Sequence, residues 1–418
     1  MSRIDELIAE LCPDGVEYKT LGEVGTFVRG NGLQKKDLVE FGIPAIHYGQ
    51  VHTHYGVWAT ETISFVTPEF ASRLRKAKPG DLIIATTSED DDGAGKAVAW
   101  LGDQPVAISG DAYVYQHSLE PKYVAYYLQS EQFQEQKKRG LTGTKVRRVS
   151  DRGLARIRIP VPPLEVQREI VRVLDLFTTL EAELEAELEA ELEARRRQYA
   201  HYRDSLLTFP EGGVRWVPMG EVGSIFGGLT GKSKQDFSEG NARFISYVNV
   251  LNNVAVNVAA NDFVRVEASE RQRALRRGDI LFTGSSETPD EVGMSAVVTA
   301  DVREPLYLNS FCTGYRLHQA DLLEPDFAKH LFRSAGMRSQ IIRTASGVTR
   351  FNVSKSRLAK VLIPVPGVDE QRRIANILDS FDALVNDLSV GLAAELAARR
   401  KQYEYYRDRL LTFKEAAA

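Results

Sequence analysis

The sequence predicts an α+β protein in which two pseudo-equivalent α/β-type domains are joined by two long antiparallel helices that form a coiled coil. The chain has 418 residues and carries a pseudo-twofold internal repeat. Each copy of the repeat holds short β-type runs followed by helical patterns, and each copy ends in more than forty residues almost free of proline and glycine. A chain of this length is expected to form more than one domain.

The internal repeat is read from matched segments about 200 residues apart. The longest match pairs RRRQYAHYRDSLLTF at 195–209 with RRKQYEYYRDRLLTF at 399–413, which are identical at eleven of fifteen positions. Two copies are too few and too long for a stacked solenoid, so two related domains are the better interpretation. The other matches are GEVG at 22–25 and 220–223, KPGDLI at 78–83 with RRGDIL at 276–281, and IPVP at 159–162 and 363–366.

The repeat divides the chain into four segments. We expect a first domain at 1–158, a central helix with a spacer at 159–209, a second domain at 210–360 and a C-terminal helix at 361–418. The predicted strands are Ile43–Val51, Asp81–Thr87 and Val106–Tyr115 in the first domain and Phe244–Val250, Asp279–Thr283 and Leu306–Leu317 in the second, followed by helical patterns at Lys122–Lys138 and Asp326–Arg343.

One stretch without charge, 244–261, could be mistaken for a membrane span. It contains five asparagines and alternates apolar with polar residues, so it is predicted to be a strand pair and not a membrane helix. The N-terminus lacks a basic start followed by an apolar run, and the only cysteines are Cys12 and Cys312. We therefore expect a cytoplasmic protein with reduced thiols and no membrane partner.

The two long helices follow the repeated IPVP segments, whose prolines end a strand and suit a helix start. Glu165–Leu207 contains neither proline nor glycine, and Asp369–Leu411 contains only Gly391. A continuous helix of this length would be roughly 65 Å long at about 1.5 Å per residue. The sequence therefore predicts two long rods.

A leucine stripe runs along each rod, with a leucine at every fourth position. Leucines at this spacing share one helix face and are expected to be buried, most simply by packing the two rods antiparallel. An alternative is that each stripe contacts a different protein. The predicted coiled-coil residues are Leu180, Leu184, Leu188, Leu192, Leu384, Leu388, Leu392 and Leu396.

The repeated LEAE tetrad from Leu180 onward could be a solvated spacer, but it could also set a distance. Adding or removing one tetrad nearly preserves the helix face and changes the length by about 6 Å. Seven glutamates lie between residues 181 and 193, against only Glu395 in the matching part of the second rod. Because a change of one tetrad alters the length and nearly keeps the face, the segment is interpreted as a helical ruler.

Charge is segregated along the chain although the net charge is only −4. This balance argues against a uniform basic coat for nucleic acid. Residues 121–158 contain ten Lys or Arg against three acids, and residues 329–360 contain eight against none. Both segments end a variable domain, and both contain a glycine-rich loop.

These two loops, 140–150 and 345–354, are candidate nucleic-acid contacts because backbone amides, Lys and Arg suit phosphates, while Arg and Asn can read base edges. For one copy alone, an ordinary turn beside a solvated basic helix would be the better interpretation; the recurrence in both copies favours nucleic acid. The candidate DNA-binding residues are Arg29, Asn31, Lys35, Lys145, Arg147, Arg148, Lys232, Lys234, Arg350, Asn352 and Lys355.

Motifs for chemistry are missing from the sequence. It has no phosphate-binding P-loop, no dinucleotide fingerprint and no zinc-type Cys and His cluster. The acidic run 88–92 lacks the spacing of a calcium loop and is expected to be an exposed turn. We predict no catalytic residue, no metal site and no cofactor in this chain.

The combination of two variable domains, repeated IPVP segments, a Gln-Arg-containing helix and the RRKQYxYYRDxLLTF segment resembles the specificity subunit of type I restriction–modification systems. The leucine and glutamate tetrads are similar to the spacer repeats of one of its subfamilies. The resemblance covers essentially the whole chain. It implies that 1–158 and 210–360 are target recognition domains, each reading half of an asymmetric, bipartite double-stranded DNA sequence.

The same resemblance implies partners. The helices would set the gap between the half-sites and dock two modification (methyltransferase) subunits, with restriction (translocase and nuclease) subunits joining through them. S-adenosylmethionine, ATP and magnesium would then belong to the partner chains. The resemblance also places the segment around Leu11–Gly15 beside Thr412–Glu415. A different class of function, a coiled-coil adaptor whose domains bind proteins without DNA specificity, remains open at this point.

Overall fold

The structure is a computed structural model that describes residues 3–210 and 212–417, with the side chains at 386, 388 and 389 excepted. The chain forms two compact units. Unit 1 comprises residues 1–187 and 393–418, and unit 2 comprises residues 188–392. This division cuts through both long helices, whereas the four predicted segments assign each helix as a whole.

Unit 1 is built on two mixed sheets that both contribute to one of its hydrophobic clusters. A five-stranded sheet has the order Gly25–Arg29, Ala112–His117, Leu82–Ala85, Ala97–Trp100, Trp58–Ala59, and a four-stranded sheet has the order Phe65–Val66, Ile43–Ile46, Val106–Ile108, Lys76–Ala77. Two short ribbons pair Tyr18–Thr20 with Arg158–Pro160 and Arg147–Arg148 with Thr87–Ser88. The helices are Arg3–Leu11, Leu21–Val24, Tyr48–Thr53, Pro68–Ala71, Pro121–Tyr127, Glu131–Lys138 and Asp151–Ala155, with a 3-10 turn at Lys35–Asp37.

Unit 2 repeats this plan with fewer strands among the described residues. Its four-stranded sheet has the order Gly223–Gly227, Cys312–Leu317, Ile280–Thr283, Ser295–Val297, and a three-stranded sheet has the order Phe263–Val264, Ala242–Ile245, Leu306–Leu308. Arg215–Pro218 pairs with Leu362–Val365, and Phe351–Val353 lies between Ser285–Ser286 and Ala345–Ser346. The helices are Met219–Val222, Tyr247–Asn252, Pro325–Leu331, Ala335–Ile342 and Lys355–Leu358, with a 3-10 turn at Lys234–Phe237.

The long helices are Leu164–Leu206, the central helix, and Val368–Leu410, the C-terminal helix, each of 43 residues. Each agrees with the prediction to within one residue at both ends. Gly391 is accommodated inside the second helix. The fold class, two related α/β domains with long helices, is therefore confirmed, and none of the described helices is both long and apolar enough to cross a membrane.

The repeated GEVG segment is explained by a close approach of backbone to an aromatic ring. Cβ atoms added at Gly25 and Gly223 would lie within 2.6 Å of Tyr115 and 2.5 Å of Tyr315. The same tyrosines donate hydrogen bonds of 2.8 Å to the carbonyl oxygens of Leu21 and Met219. A side chain at either glycine would displace the buried ring, so the match records a packing constraint.

The repeated glutamine that follows IPVP is a buried clamp. In unit 2, Gln371 is fully buried; its Oε1 accepts from the Glu324 amide at 2.8 Å, and its Nε2 donates to the carbonyls of Pro366 and Leu322 at 2.9 and 3.1 Å. In unit 1, Gln167 makes the corresponding bonds to the Glu120 amide and the Pro162 carbonyl. Each clamp fixes a long helix to the helix pair of its domain.

Replacing Gln371 with Leu is expected to lower the free energy of unfolding by about 3 kcal/mol, because buried backbone groups lose their partners. Denaturant titration followed by circular dichroism measures the change. Gln319→Leu is the matched control, because Gln319 is exposed in the same unit. Equal losses in the two variants would contradict the clamp.

In each unit, the aspartate of the repeated YRD segment contacts the start of a short helix. Asp204 on the central helix accepts from the Ala335 amide at 2.9 Å, and Asp408 on the C-terminal helix accepts from the Glu131 amide at 3.1 Å. Each carboxylate meets the amino end of a short helix, where unpaired amides and the helix dipole favour negative charge. The aspartate within the eleven-of-fifteen match therefore makes the same docking contact once in each unit.

The segments around residues 16 and 415 are neighbours in unit 1, as predicted. Val16 pairs in parallel with Glu415, and Arg158 forms an ion pair with the Glu415 carboxylate. The Tyr18 hydroxyl donates to the Phe413 carbonyl at 3.2 Å. The chain after the C-terminal helix thus adds to the edge formed by the first strand.

The two long helices run antiparallel where they meet in unit 1. Phe177 stacks on Tyr406 with ring centroids 5.8 Å apart, and Arg400 pairs with Glu181 at 3.2 Å and Glu185 at 3.1 Å. Residue numbers therefore rise along one helix as they fall along the other. In unit 2 the matching aromatic pair is Tyr202 with Phe381, 5.1 Å apart.

The leucine stripe is less buried than predicted. Leu180 is 52% exposed and Leu384 is 60% exposed, so the prediction of a fully buried stripe is wrong at these two positions. Near Leu180 the rings of Phe177 and Tyr403 line an open cavity of ≈200 Å³. Leu180 and Leu184 line the same cavity, so this part of the stripe faces open space between the helices. Leu184, Leu188, Leu192, Leu392 and Leu396 are partly buried, and the side chain of Leu388 lies outside the described set.

Several predicted strands are interrupted. The predicted strand pair over 244–261 is wrong, because the strand ends at Ile245 and the helix Tyr247–Asn252 follows. The predicted strands Val106–Tyr115 and Leu306–Leu317 each break into two at a turn, closed by Ala112 and Cys312 amides bonded to residues 109 and 309. The predicted helices of 122–138 and 326–343 break at Ser130 and Ser334, whose side chains cap a second helix.

Candidate nucleic-acid interface

Each unit presents the same three polar segments side by side, which we call its hairpin surface. In unit 1 these are the strand and acidic turn 87–92, the turn 109–111 and the glycine hairpin 142–148; in unit 2 they are 285–291, 309–311 and 345–353. The start of a short helix, at Tyr48 or Tyr247, borders the surface. The repeat therefore builds one polar surface twice.

A backbone ladder holds the three segments together. In unit 1 the Thr86 amide donates to the Asp111 carbonyl at 2.9 Å, and the Val149 amide donates to the Thr86 carbonyl at 3.0 Å. In unit 2 Gly284 takes the place of Thr86: its amide donates to Phe311 at 2.8 Å, and Val353 donates to it at 2.9 Å. Because the ladder uses only main-chain atoms, the side chains on top of it are free to differ.

Glycine makes the hairpins possible. Gly143 and Gly347 have φ of 89° and 138°, a region that disfavours side chains. Added Cβ atoms would lie 2.1 Å from the Val146 carbonyl oxygen and 1.9 Å from that of Arg350. The tip of each hairpin is exposed, and Val348 is 91% exposed. The sequence match between these glycines thus marks the same protruding hairpin in both units.

In each unit, a basic side chain of the domain anchors the acidic turn by hydrogen bonds to main-chain carbonyl oxygens. In unit 1 the buried Lys137 ammonium donates to the Asp92 carbonyl at 3.1 Å, and burial lowers the pKa of Lys137 to about 8. In unit 2 Arg338 donates to the carbonyls of Asp290 at 2.9 Å and Val292 at 3.0 Å. Within the described part of the chain, no group of three or more His, Cys, Asp or Glu side chains could hold a metal ion.

Six of the eleven predicted side chains are engaged within their own unit. Asn31 is held at both ends of its amide, by the Arg73 carbonyl at 2.9 Å and the Arg75 amide at 2.7 Å. The side chain of Lys232 is only 5% exposed and pairs with Glu270 at 2.6 Å. These two residues therefore shape their loops and do not project toward a ligand.

Three predicted arginines keep free donors although each makes a contact. Arg29 donates to the Gly110 carbonyl at 2.9 Å and pairs with Asp111 at 3.4 Å. Arg147 forms an ion pair with Asp91, which turns its charge toward the acidic turn. Arg350 donates to the Ser285 hydroxyl at 3.1 Å. Asn352 is exposed and donates to the Arg350 carbonyl at 3.2 Å. The remaining predicted residues are exposed: Lys35, Lys145, Arg148, Lys234 and Lys355.

An open cleft borders each hairpin surface. The cleft of unit 1 has a volume of ≈430 Å³ and is lined by Arg29, Lys35, His47, Tyr48 and Asp111 among others. Burial lowers the pKa of His47, and Lys35 lowers it further, against the opposite effect of Asp111. At neutral pH His47 therefore offers hydrogen bonding and no positive charge.

The cleft of unit 2, of ≈340 Å³, contains a residue that the sequence reasoning missed. It is lined by Tyr247, Ser285, Ser286, Glu287, Glu291, Phe311 and Arg350. Phe311 is 58% exposed at the tip of the turn 309–311. Alignment of the repeat at an offset of 200 would have shown Phe311 opposite Asp111, an apolar residue at a polar position.

Comparison with known proteins supports the repeat and the architecture. A family model described as the type I restriction modification DNA specificity domain matches residues 13–194 and again 213–398. The chain is 36% identical over 276 residues to the Escherichia coli type I restriction enzyme EcoR124I/EcoR124II specificity subunit, across 63% of this chain and 65% of that protein. The match thus spans a little under two thirds of that relative.

Two solved structures share the fold over nearly the whole chain. One comes from work on complex assembly and conformational transition of the type I R-M system and covers 96% of this chain and 98% of its own, with a TM-score of 0.69 at 20% identity. The other is the HsdS subunit of Thermoanaerobacter tengcongensis, covering 96% and 97% with a TM-score of 0.56 at 18% identity. At this identity the likeness concerns the fold.

The family model accounts for both copies of the repeat and names DNA specificity. The E. coli relative carries the name of a specificity subunit and not of a nuclease or methyltransferase. This chain therefore belongs to the type I restriction–modification DNA specificity family.

Proposed function

We propose that this chain is the DNA-recognition subunit of a type I restriction–modification complex and reads a bipartite, asymmetric target, one half-site with each unit. The observation that carries the proposal is the hairpin surface, which is built twice on the same main-chain ladder with different side chains. A reader of two different half-sites requires such an arrangement: a common frame for the duplex and separate contacts for the bases.

The exposed basic side chains at the glycine hairpins suit the phosphates of a duplex. Exposed Lys145 and Arg148 in unit 1 and Lys355 in unit 2 lie on or beside hairpins whose glycines let the backbone approach phosphate oxygens. The net charge of −4 limits the nonspecific attraction of the isolated chain for DNA. Tight binding is then a property of the assembled complex.

The long helices supply the other two elements of the proposal. They set the gap between the half-sites, and their exposed apolar residues, including Leu180 and Leu384, dock two modification subunits, to which restriction subunits add. S-adenosylmethionine, ATP and magnesium act on those partners, in the cytoplasm, and the present chain contributes recognition without catalysis. Adenine methylation of the target is the readout of this assembly.

A domain exchange tests the proposal. Residues 1–158 are replaced by the corresponding domain of a relative that recognises a different half-site. The complete system is then expressed in a host that has no restriction–modification system of its own. Methylation mapping is expected to show one half of the methylated sequence changed and the other half and the gap retained, because each unit reads independently.

Two results would contradict the proposal. An unchanged methylated sequence would separate unit 1 from recognition and favour a coiled-coil adaptor whose domains bind proteins. A sequence changed in both halves would contradict independent reading by the two units. The matched control replaces residues 159–209 with the corresponding segment of a relative whose spacer has the same length. This exchange leaves both hairpin surfaces in place.

A further inference from the structure

Unit 2 carries a cation–aromatic pair on its hairpin surface. The guanidinium carbon of Arg350 lies 5.8 Å from the centroid of the Phe311 ring. Arg350 belongs to the glycine hairpin, whereas Phe311 is at the tip of the neighbouring turn and is 58% exposed. The pair therefore joins two different segments of the hairpin surface, and its aromatic member is accessible to solvent.

The pair fixes the direction of the arginine side chain. One Nη2 donor of Arg350 is bonded to the Ser285 hydroxyl at 3.1 Å, and the guanidinium carbon lies over the ring of Phe311. Since a guanidinium has five N–H donors in a rigid fork, most of them remain for a ligand. The side chain is held in place and is not a flexible cation in solvent.

The surroundings distinguish a base edge from a phosphate. Glu287 and Glu291 line the same cleft as Arg350, and Glu291 accepts from the Ser286 hydroxyl at 2.8 Å, which orients its charge. Two carboxylates so close would repel a phosphate. The O6 and N7 atoms of guanine are neutral acceptors that match the fork of an arginine in the major groove.

We propose that Arg350 reads a guanine in the half-site bound by unit 2, and that Phe311 is the positioning residue that holds the arginine for this contact. The inference rests on the proposed function and adds the kind of base and the residue that positions its reader. In unit 1 the matching turn residue is Asp111, which pairs with Arg29 instead. The two units therefore read this position of their half-sites differently.

The test compares the methylated sequence of the complete system with those of two variants. Arg350→Lys keeps the charge and loses the fork; Phe311→Leu keeps an apolar residue and loses the ring face. Arg350→Lys is expected to relax one G·C position in the half-site of unit 2, with a loss of discrimination of roughly 5- to 150-fold. Phe311→Leu is expected to relax the same position by about 2- to 5-fold, the value of a partly exposed cation–aromatic contact.

A matched pair in the same unit is the control. Arg243 lies 5.8 Å from the ring of Phe263, which is 39% exposed, but these residues line a different cleft. Arg243→Lys and Phe263→Leu should leave every position of the target unchanged. Melting temperatures of all four variants close to that of the wild type show that the fold is intact.

The outcomes separate this inference from the proposed function. If the wild type marks a bipartite target and Arg350→Lys leaves all preferences unchanged, or weakens all positions equally as a phosphate contact would, the inference is overturned and the proposed function stands. If Phe311→Leu relaxes a different position from Arg350→Lys, Phe311 is not the positioning residue. If the wild type marks no bipartite target, the proposed function falls and the inference falls with it.

Discussion

Deletion of one tetrad, Leu184–Glu187, from the central helix is expected to shorten the gap in the methylated sequence by one or two base pairs while both half-sites remain. Four residues shorten a helix by about 6 Å and turn it by roughly 40° beyond a full circle. Successive base pairs of a duplex are roughly 3.4 Å apart. The helix face is thus nearly kept while the distance between the readers changes.

Methylation mapping of the deletion variant in the complete system measures the gap directly. The control keeps the length and removes charge: Glu181→Gln with Glu185→Gln takes away both partners of Arg400 and should leave the gap unchanged. A second variant lacking three residues turns the following helix by roughly 60° the other way and should abolish methylation of the original target. An unchanged gap in the tetrad deletion would end the ruler interpretation.

Replacement of Arg333 with Met is expected to lower the free energy of unfolding by at least about 3 kcal/mol, because several carbonyl oxygens lose their donor. Arg333 closes the helix Tyr247–Asn252, which borders the hairpin surface of unit 2. Its Nη2 donates to the carbonyls of Val250, Leu251 and Asn253 at 3.0, 2.9 and 2.9 Å. These carbonyls at the helix end have no partner inside the helix, and a cation also suits the negative end of the helix dipole.

Burial and the neighbouring arginines lower the pKa of Arg333 to about 10, so the side chain stays charged at neutral pH and the contact persists there. Thermal and denaturant unfolding measure the loss. Arg343→Met is the matched control, because Arg343 is exposed in the same unit. In the complete system, Arg333→Met should impair recognition of the half-site of unit 2. A variant as stable as the control would contradict this account.

The sequence predicted the parts of the fold that depend on long-range periodicity. The near-absence of proline and glycine located both long helices to within one residue, and the family model matches the chain twice, as the repeat indicates. Where prediction failed, short-range chemistry decides the structure. His47 caps a helix by accepting from the Gly49 amide at 3.2 Å, so an apolar run that looks like one strand becomes a strand and a helix.

The predictions of unbroken strands across the turns 109–111 and 309–311 also failed because short-range chemistry decides the structure there. These two turns form part of the hairpin surfaces. Ser109, Gly110 and Asp111 in the first run, and Asn309 and Ser310 in the second, are turn-forming residues and are the sequence signal of the break. The residues on both sides of the first break are buried in the same hydrophobic cluster. The missed breaks therefore lie in the proposed recognition surface. A comparison of the two copies, residue by residue, would have revealed the contrast of Asp111 with Phe311.

The candidate DNA-binding residues were chosen by type and position along the chain, which does not reveal their partners. Lys232 pairs with Glu270, 38 residues away, and Arg147 pairs with Asp91, 56 residues away. Such pairs depend on the tertiary fold. Charge segregation pointed to two hairpins that occupy equivalent places in the two units, but only the structure distinguishes the side chains that support a loop from those that face outward.

The residues that the two copies share have a common position in the fold. Gly25 and Gly223 lie against tyrosines, Gln167 and Gln371 are buried, and the ladder of the hairpin surface uses main-chain atoms. The side chains on the outside of that ladder, by contrast, differ between the copies. Substitutions of these outer side chains can therefore change the surface without disturbing the fold. Recombination of the outer loops can then yield new targets in a protein that still folds.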